Sequence, residues 1–193
     1  MTFESAKALI LDRIRRLSEE RNILVGIDGR CASGKTTLAA ALSEALGCPV
    51  IHMDHFFLRP HMRTPERLAQ PGGNVDKERF YEEVMVSLKE GLPFSYRPFD
   101  CHTGTLASPV DVPHHRVCIV EGTYSLCPEL WAHYDLRVCL TVDPQVQLAR
   151  IEKRNGTQRK EIFKTRWIPM EEAYFEAFHI EERSDLYFDM TEL

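Results

Sequence analysis

The sequence predicts a three-layer α/β domain on a mainly parallel sheet. Three observations lead there: aliphatic runs that are continuous rather than alternating, helical patterns lying between them, and one glycine-rich turn joining the first run to the next helix. The chain has 193 residues, 44% hydrophobic and 27% charged, the proportions of an ordinary globular domain rather than a disordered or fibrous chain. Residues 1–193 are therefore read as a single domain.

Taken in order, Phe3, Ala6, Ile10, Ile14 and Leu17 recur at helical spacing, with Lys7, Asp12, Arg15 and Glu19 between them, which predicts an amphipathic first helix. Asn22 to Asp28 (NILVGID) follows as a strand without polar alternation, so both of its faces should be covered. Runs of the same kind return at Pro49 to Asp54, Val117 to Gly122, Leu136 to Asp143 and Leu186 to Met190. Helical patterns occupy Lys35 to Leu46, Asp76 to Glu90, Pro144 to Arg154 and Lys160 to Phe178. Strands alternating with helices in this way build parallel crossovers.

Two segments, about 55–75 and 92–115, break the rhythm and hold seven of the eleven prolines. Loops of that length in a compact domain are commonly functional, and their aromatics (Phe56, Phe57, Phe94, Tyr96, Phe99) argue for order, so they are read as covers over a substrate pocket. The six cysteines form no CxxC pair, and Cys118 and Cys139 fall inside apolar strands, which reads as reduced structural thiols. The amino terminus lacks a basic start followed by an apolar stretch, and no apolar run reaches bilayer length, so a cytoplasmic protein without membrane contact is expected. With 24 basic and 29 acidic side chains the net charge is -5, a poor match to a polyanion, so no nucleic-acid partner is expected; self-association stays open.

The turn carries the chemistry. Gly29-Arg30-Cys31-Ala32-Ser33-Gly34-Lys35-Thr36 satisfies GxxxxGK[ST] between an aliphatic strand and an Ala/Leu-rich helix. Glycines let the backbone curl until successive N–H groups face inward, and the helix that follows adds its positive end, so Gly29, Cys31, Ala32, Ser33, Gly34, Lys35, Thr36 and Thr37 are read as a cradle for the phosphates of ATP. Lys35 would bridge the terminal phosphates and the Thr36 hydroxyl would ligate Mg²⁺. The absence of NKxD and DxxG segments disfavours a switch GTPase, and the chain is short for a motor ATPase with a helical lid domain.

Ligands of open α/β sheets gather beyond the carboxyl ends of the strands, and three such ends carry an acid. Glu121 follows Val117-Cys118-Ile119-Val120, the place of a metal-holding acid; Asp54 could accept the proton of an attacking hydroxyl; Asp28 is read as fixing the turn. From Arg150 to Arg166 seven basic residues meet two acidic ones, and Arg150 and Arg154, four apart on one helix face, precede the hinge-like Asn155-Gly156. That pattern predicts a lid at about 150–166 which closes over the triphosphate.

The segments ILVGIDGRCASGKTTLA, VIHMDHFF, PGGNVDKERF, IVEGTYS, LARIEKR and RWIPMEEAYF together resemble the uridine kinase-like family of P-loop kinases, whose relatives include phosphoribulokinase, bacterial pantothenate kinase and nicotinamide riboside kinase. The resemblance implies a five-stranded parallel sheet of order 2-3-1-4-5, Asp54 as the base for a ribose hydroxyl, Glu121 on metal or substrate, and Arg150 and Arg154 on phosphates. Phe57, Tyr96, Phe99, His102 and Arg166 are the further residues expected around the acceptor. One departure concerns the nucleobase: where uridine kinases carry a Tyr-Asp dipeptide and a histidine four residues after that Asp, this chain has Phe99-Asp100 and Gly104, with His102 two residues early. The expected activity is ATP- and Mg²⁺-dependent transfer of a γ-phosphoryl group to the primary hydroxyl of a small molecule, foremost uridine or a related nucleoside. Pantothenate, a riboside vitamin or a sugar is the alternative acceptor, and a non-enzymatic nucleotide-binding regulator the alternative from another class.

Overall fold

The computed structural model describes residues 2–19 and 21–192; Met1 and Leu193, the ends of the predicted domain, and Glu20 lie outside the described residues. The main sheet contains β1 (Ile23–Gly29), β2 (Val50–His52), β3 (Val117–Glu121), β4 (Leu136–Thr141) and β5 (Leu186–Asp189). All pairings are parallel and the spatial order is β2-β3-β1-β4-β5, the 2-3-1-4-5 arrangement that the resemblance implies. Every residue of the central β1 is buried, as its unbroken apolar run requires.

Successive side chains of β1 leave on opposite faces. Val25 and Ile27 meet Ile10 and Ile14 of α1 (Phe3–Ser18) and Leu38 and Leu42 of α2 (Lys35–Leu46). Leu24 joins the opposite layer with Ile51, Val120, Phe56, Phe80, Leu126 and Tyr174. Gly26 faces that second layer, where a Cβ would lie 2.6 Å from Leu126 Cδ2 and 3.0 Å from the Tyr134 ring, so a larger residue would force those side chains to shift. Each fully buried Ile or Leu in these layers contributes about 2 kcal/mol.

Three further helices complete the layers. Helix α3 spans 77–90, is capped by the Asp76 side chain accepting from the Arg79 N–H, and widens to a π turn over Tyr81–Met85. Helix α4 (Pro144–Asn155) starts from an Asp143 cap with proline in its first turn and stops at Gly156, whose φ of 82° ends the helical geometry. Helix α5 runs over 157–178, again with a π turn, at Phe163–Trp167.

The structure differs from expectation at element ends. The run Pro49 to Asp54 does not stay a strand: β2 stops at His52 because its partner β3 ends at Glu121, the residue paired with His52, and Met53–Phe56 winds into a 3₁₀ turn. Helix α5 begins at Thr157 rather than Lys160. The two irregular segments contain short order of their own: Phe94–Tyr96 pairs with Val110–Val112, Phe99–Asp100 with Thr105–Leu106, Phe57 bridges to Val75, and Pro65–Leu68 forms one helical turn. All six cysteines are free, five of them buried and Cys101 exposed. Among the described residues no helix is long and apolar enough to cross a membrane.

Candidate functional site

The turn after β1 is shaped by conformations that glycine and small residues tolerate. Gly29 has φ 145°, and a Cβ there would lie 2.1 Å from the Leu140 carbonyl oxygen of β4; Ala32 sits at φ 60° and Gly34 at φ 97° as the cap of α2. The turn is anchored from below by Asp28, fully buried, which accepts from the N–H groups of Gly29 (2.7 Å), Tyr124 (3.1 Å) and Leu126 (2.9 Å) and from the Tyr174 hydroxyl (2.8 Å). Burial pushes the Asp28 carboxyl up, while these bonds and Lys35 pull it back. Asp28 thus fixes the turn, the role its sequence position suggests. Lys35 Nζ donates to the carbonyls of Gly29 (2.8 Å) and Arg30 (2.9 Å), keeping its charge at the centre of the turn.

Glu121 ends β3 in a nearly buried position, and the Thr36 hydroxyl donates to its two carboxylate oxygens at 3.3 and 3.2 Å. His52 Nδ1 lies 2.5 Å from Glu121 Oε1, and that bond, against the opposing effect of burial, raises the imidazole pKa. A hydroxyl and a carboxylate facing each other at the start of α2 are hard oxygen donors, the set that suits Mg²⁺. The inward amides and Lys35 suit its polyphosphate partner. The residues present therefore fit Mg-ATP.

Asp54 lies in the 3₁₀ turn after β2, exposed to the cavity yet hemmed by protein on its other sides. Burial raises its carboxyl pKa, the nearby Lys35, His52 and Arg154 lower it, and Glu121 raises it. Gly122 makes this closeness feasible: with φ 137°, a Cβ there would stand 2.8 Å from Met53 Cβ and 3.5 Å from Asp54 Oδ1. The next residues close the wall: the Thr123 hydroxyl donates to the Gly29 carbonyl at 3.0 Å, and Tyr124 holds φ 76°, a strained value for a residue with a Cβ.

One cavity of about 1300 Å³ joins these groups. It is lined by Cys31, Ala32, Gly34, Lys35, Thr36, Thr37, Asp54, Phe57, Phe99, His102, Glu121, Arg150, Arg154 and Arg166 among the residues singled out in the sequence. Gly29, Ser33 and Tyr96 are not in its wall. Gly29 and Ser33 are buried within the turn, and Tyr96 is a core residue whose hydroxyl meets His55 Nδ1 at 3.0 Å, so its link to the cavity runs through His55. Arg150 donates to the carbonyls of Ala32 (3.3 Å), Met190 (2.9 Å) and Thr191 (3.0 Å), which ties α4 to the turn and to the chain after β5. The side chain of Arg154 bonds Asn155 at 2.8 Å, and the Arg166 guanidinium lies over the Trp167 ring at 4.5 Å. His102 stands on an exposed hairpin tip, its N–H held by Asp100 at 2.7 Å.

Sequence reasoning missed the grip of α5 on the turn. Arg30 donates to Glu172 at 2.6 and 2.7 Å and also to Glu181; burial opposes its charge, but these carboxylates outweigh it and raise its pKa. Glu171, almost fully buried, accepts from the Cys31 N–H at 2.9 Å. Its carboxyl is pushed up to about 7 by burial, with Lys35 and the Cys31 amide working the other way. Within RWIPMEEAYF nothing but two adjacent glutamates marks this, and on a helix such a pair normally faces solvent.

The AAA domain family matches residues 25–173. A Schizosaccharomyces pombe protein named "Putative uridine kinase C227.14" is 29% identical over 166 residues, covering 74% of this chain and 70% of that protein. The Arabidopsis thaliana "Inorganic pyrophosphatase TTM2" is 28% identical over 176 residues, 84% of this chain but 25% of the relative, so the chain spans about a quarter of that protein's length. Among solved structures, a possible uridine kinase from Bacillus stearothermophilus shares the fold at TM-score 0.73 and 22% identity, covering 98% of this chain and 100% of that one. The structure titled "putative fructose transport system kinase" from Silicibacter sp. TM1040 reaches TM-score 0.69 at 27% identity, covering 97% and 99%. With its phosphate-binding turn, its sheet order and the match over residues 25–173, the chain belongs to the AAA domain family, and its P-loop fold is that of the uridine kinase-like proteins.

Proposed function

We propose that the protein is an ATP- and Mg²⁺-dependent kinase that phosphorylates the ribose primary hydroxyl of a nucleoside, with uridine or cytidine as the leading acceptors. The observation that carries this reading is the single cavity shared by the turn, the Thr36–Glu121 pair and Asp54, at about 1300 Å³ larger than one small-molecule site needs. Beyond the turn the cavity wall includes Asp54, Phe57, Phe99 and Trp167, and this part of the volume is where a second molecule would lie beside a bound nucleotide.

Mg²⁺, held by Thr36 and Glu121, would supply charge neutralisation to the triphosphate. The chain's own residues do the rest. The turn's amides and Lys35 hold the polyphosphate, and Thr36 and Glu121 orient the metal end. Arg154 and Arg166 bring positive charge from α4 and α5, with the joint at Gly156 between them, as a lid over about 150–166 requires. Asp54 accepts the acceptor's hydroxyl proton, and its raised pKa makes it a stronger base than an ordinary surface aspartate.

A second reading, a sugar as acceptor, rests on the absence of the polar partners a pyrimidine would need: in the cavity wall Phe99 offers no hydroxyl and lies under the Arg63 guanidinium at 5.8 Å, and Gly104, in the place of the uridine kinases' histidine, has no side chain. The test is ADP production with Mg-ATP across uridine, cytidine, nicotinamide riboside, pantothenate and free hexoses and pentoses. Stimulation by a pyrimidine nucleoside supports the first reading, and stimulation by a sugar alone supports the second. Nucleotide binding without any responsive acceptor sinks both in favour of a regulator.

A further inference from the structure

The buried carboxyl of Glu171 has no part in the phosphoryl-transfer scheme above, yet it sits on the phosphate-binding turn. Its Oε2 takes the Cys31 N–H at 2.9 Å, an amide of the GxxxxGK[ST] turn, and Glu171 lines the same cavity as Lys35 and Thr36. Only 6% of the residue is exposed. The groups facing it are Cys31 and Lys35 of the turn and α2, Asp28 at the end of β1, and Tyr124 after β3; Arg150 of α4 reaches the same turn at the Ala32 carbonyl. Its neighbours on α5 hold the same region, Glu172 through Arg30 and Tyr174 through Asp28.

A carboxylate in that place does two things to an incoming polyphosphate. It competes for a backbone donor, and it sets one buried negative charge against another. A proton on Glu171 removes both obstacles, because the neutral group no longer repels phosphate and its O–H becomes a donor toward a phosphate oxygen. We propose that Glu171 is a proton-linked gate of the cradle, so that binding of a nucleoside polyphosphate takes up one proton at this carboxyl. The inference rests on the nucleotide-binding reading above but not on the identity of the acceptor.

The gate is poised for neutral pH, since burial brings the free carboxyl to about 7. The test is calorimetry of binding of a non-hydrolysable Mg-ATP analogue, in buffers of different ionisation enthalpy at pH 6 and pH 8, to the wild-type chain and to Glu171→Gln. The wild type should take up nearly one proton at pH 8 and about a tenth at pH 6, with affinity falling about tenfold between them, the cost of protonating such a group one unit above its pKa. Glu171→Gln keeps an oxygen for the Cys31 N–H and needs no proton, so it should bind about tenfold tighter than wild type at pH 8 and lose the extra uptake. The analogue's own protonation is common to both proteins and cancels. Equal proton uptake in both proteins overturns the gate, as does wild-type uptake at pH 8 no greater than the analogue's own protonation supplies, a measurement that requires no variant. Absence of binding at either pH overturns the nucleotide reading and the gate with it, whereas failure of every acceptor leaves the gate standing.

Discussion

Asp28, near the carboxyl end of β1, and Asp54, in the turn just past β2, carry the same side chain, and their surroundings give them different work. Asp28 is sealed, with four donors converging on two oxygens, whereas Asp54 opens to the cavity between Lys35, His52, Glu121 and Arg154. Asp28→Asn places an amide against donors that need an acceptor, so it should lower stability by roughly 3 kcal/mol, read by denaturant unfolding. Asp54→Asn leaves the packing intact and should depress acceptor-dependent turnover by two orders of magnitude or more while the affinity for Mg-ATP stays within severalfold. Undiminished turnover in Asp54→Asn refutes its role as base. The chain alone separates the two acids only in part: Asp28 abuts the phosphate motif and Asp54 its aromatic pair, but the Tyr174 hydroxyl that closes the Asp28 site lies 146 residues away, beyond any local pattern. Glu171 is hidden for the same reason, since its partner is a backbone amide 140 residues distant, and amides leave no mark in sequence.

At the scale of elements, the strands of the main sheet are legible because burial on both faces leaves unbroken apolar runs, and their order follows from the resemblance rather than from the runs themselves. What is illegible is short or subtle. Phe99–Asp100 and Thr105–Leu106 are too brief for a period of two to register, and the π turns at Tyr81–Met85 and Phe163–Trp167 add one residue to a helical repeat without changing its composition. The 3₁₀ turn that carries Asp54 is set by where β3 ends, and by Gly122, which lets Met53 come close. Gly122→Ala should therefore act on the site through an element. The added methyl meets Met53 Cβ, which cannot swing aside, and φ 137° disfavours any Cβ, so the turn must shift. The expected cost is about 2–4 kcal/mol of stability, with kcat reduced more than the affinity for nucleotide as Asp54 leaves the metal end of the cavity. Unchanged kcat in a folded Gly122→Ala protein would mean that the position of Asp54 does not matter.

Across the whole molecule, the site is assembled at the expense of stability. Asp54 and Glu171, the two acids that line the cavity, have carboxyl pKa values raised in the fold, chiefly by burial, so the native chain holds protons there that the unfolded chain releases. A group of this kind contributes stability that is complete below its unfolded pKa and lost as pH rises through its folded value. For Glu171 the window runs from 4.5 up to about 7. Surface acids such as Glu78 and Glu152, lowered by Arg67 and by Lys160, act the other way and lose their contribution only on acidification, below the window in which Glu171 changes. Neutralising a cavity acid should therefore stabilise the protein at pH 8 and matter less as pH falls. Glu171→Gln is expected to raise the melting temperature at pH 8 by roughly 3 °C or more, about 1 kcal/mol for a domain of this size, and Asp54→Asn, whose carboxyl opens to the cavity and is screened there, should shift it in the same direction by less. For Glu171→Gln the gain should shrink steadily between pH 7 and 4.5, as the wild-type carboxyl recovers its proton. Thermal unfolding of wild type and both variants at pH 8, 7, 6 and 5 measures this directly. A variant that is less stable than wild type at pH 8 would show that its carboxylate supports the fold in its charged form, and that the charge at the cavity floor is part of the scaffold and not held against it.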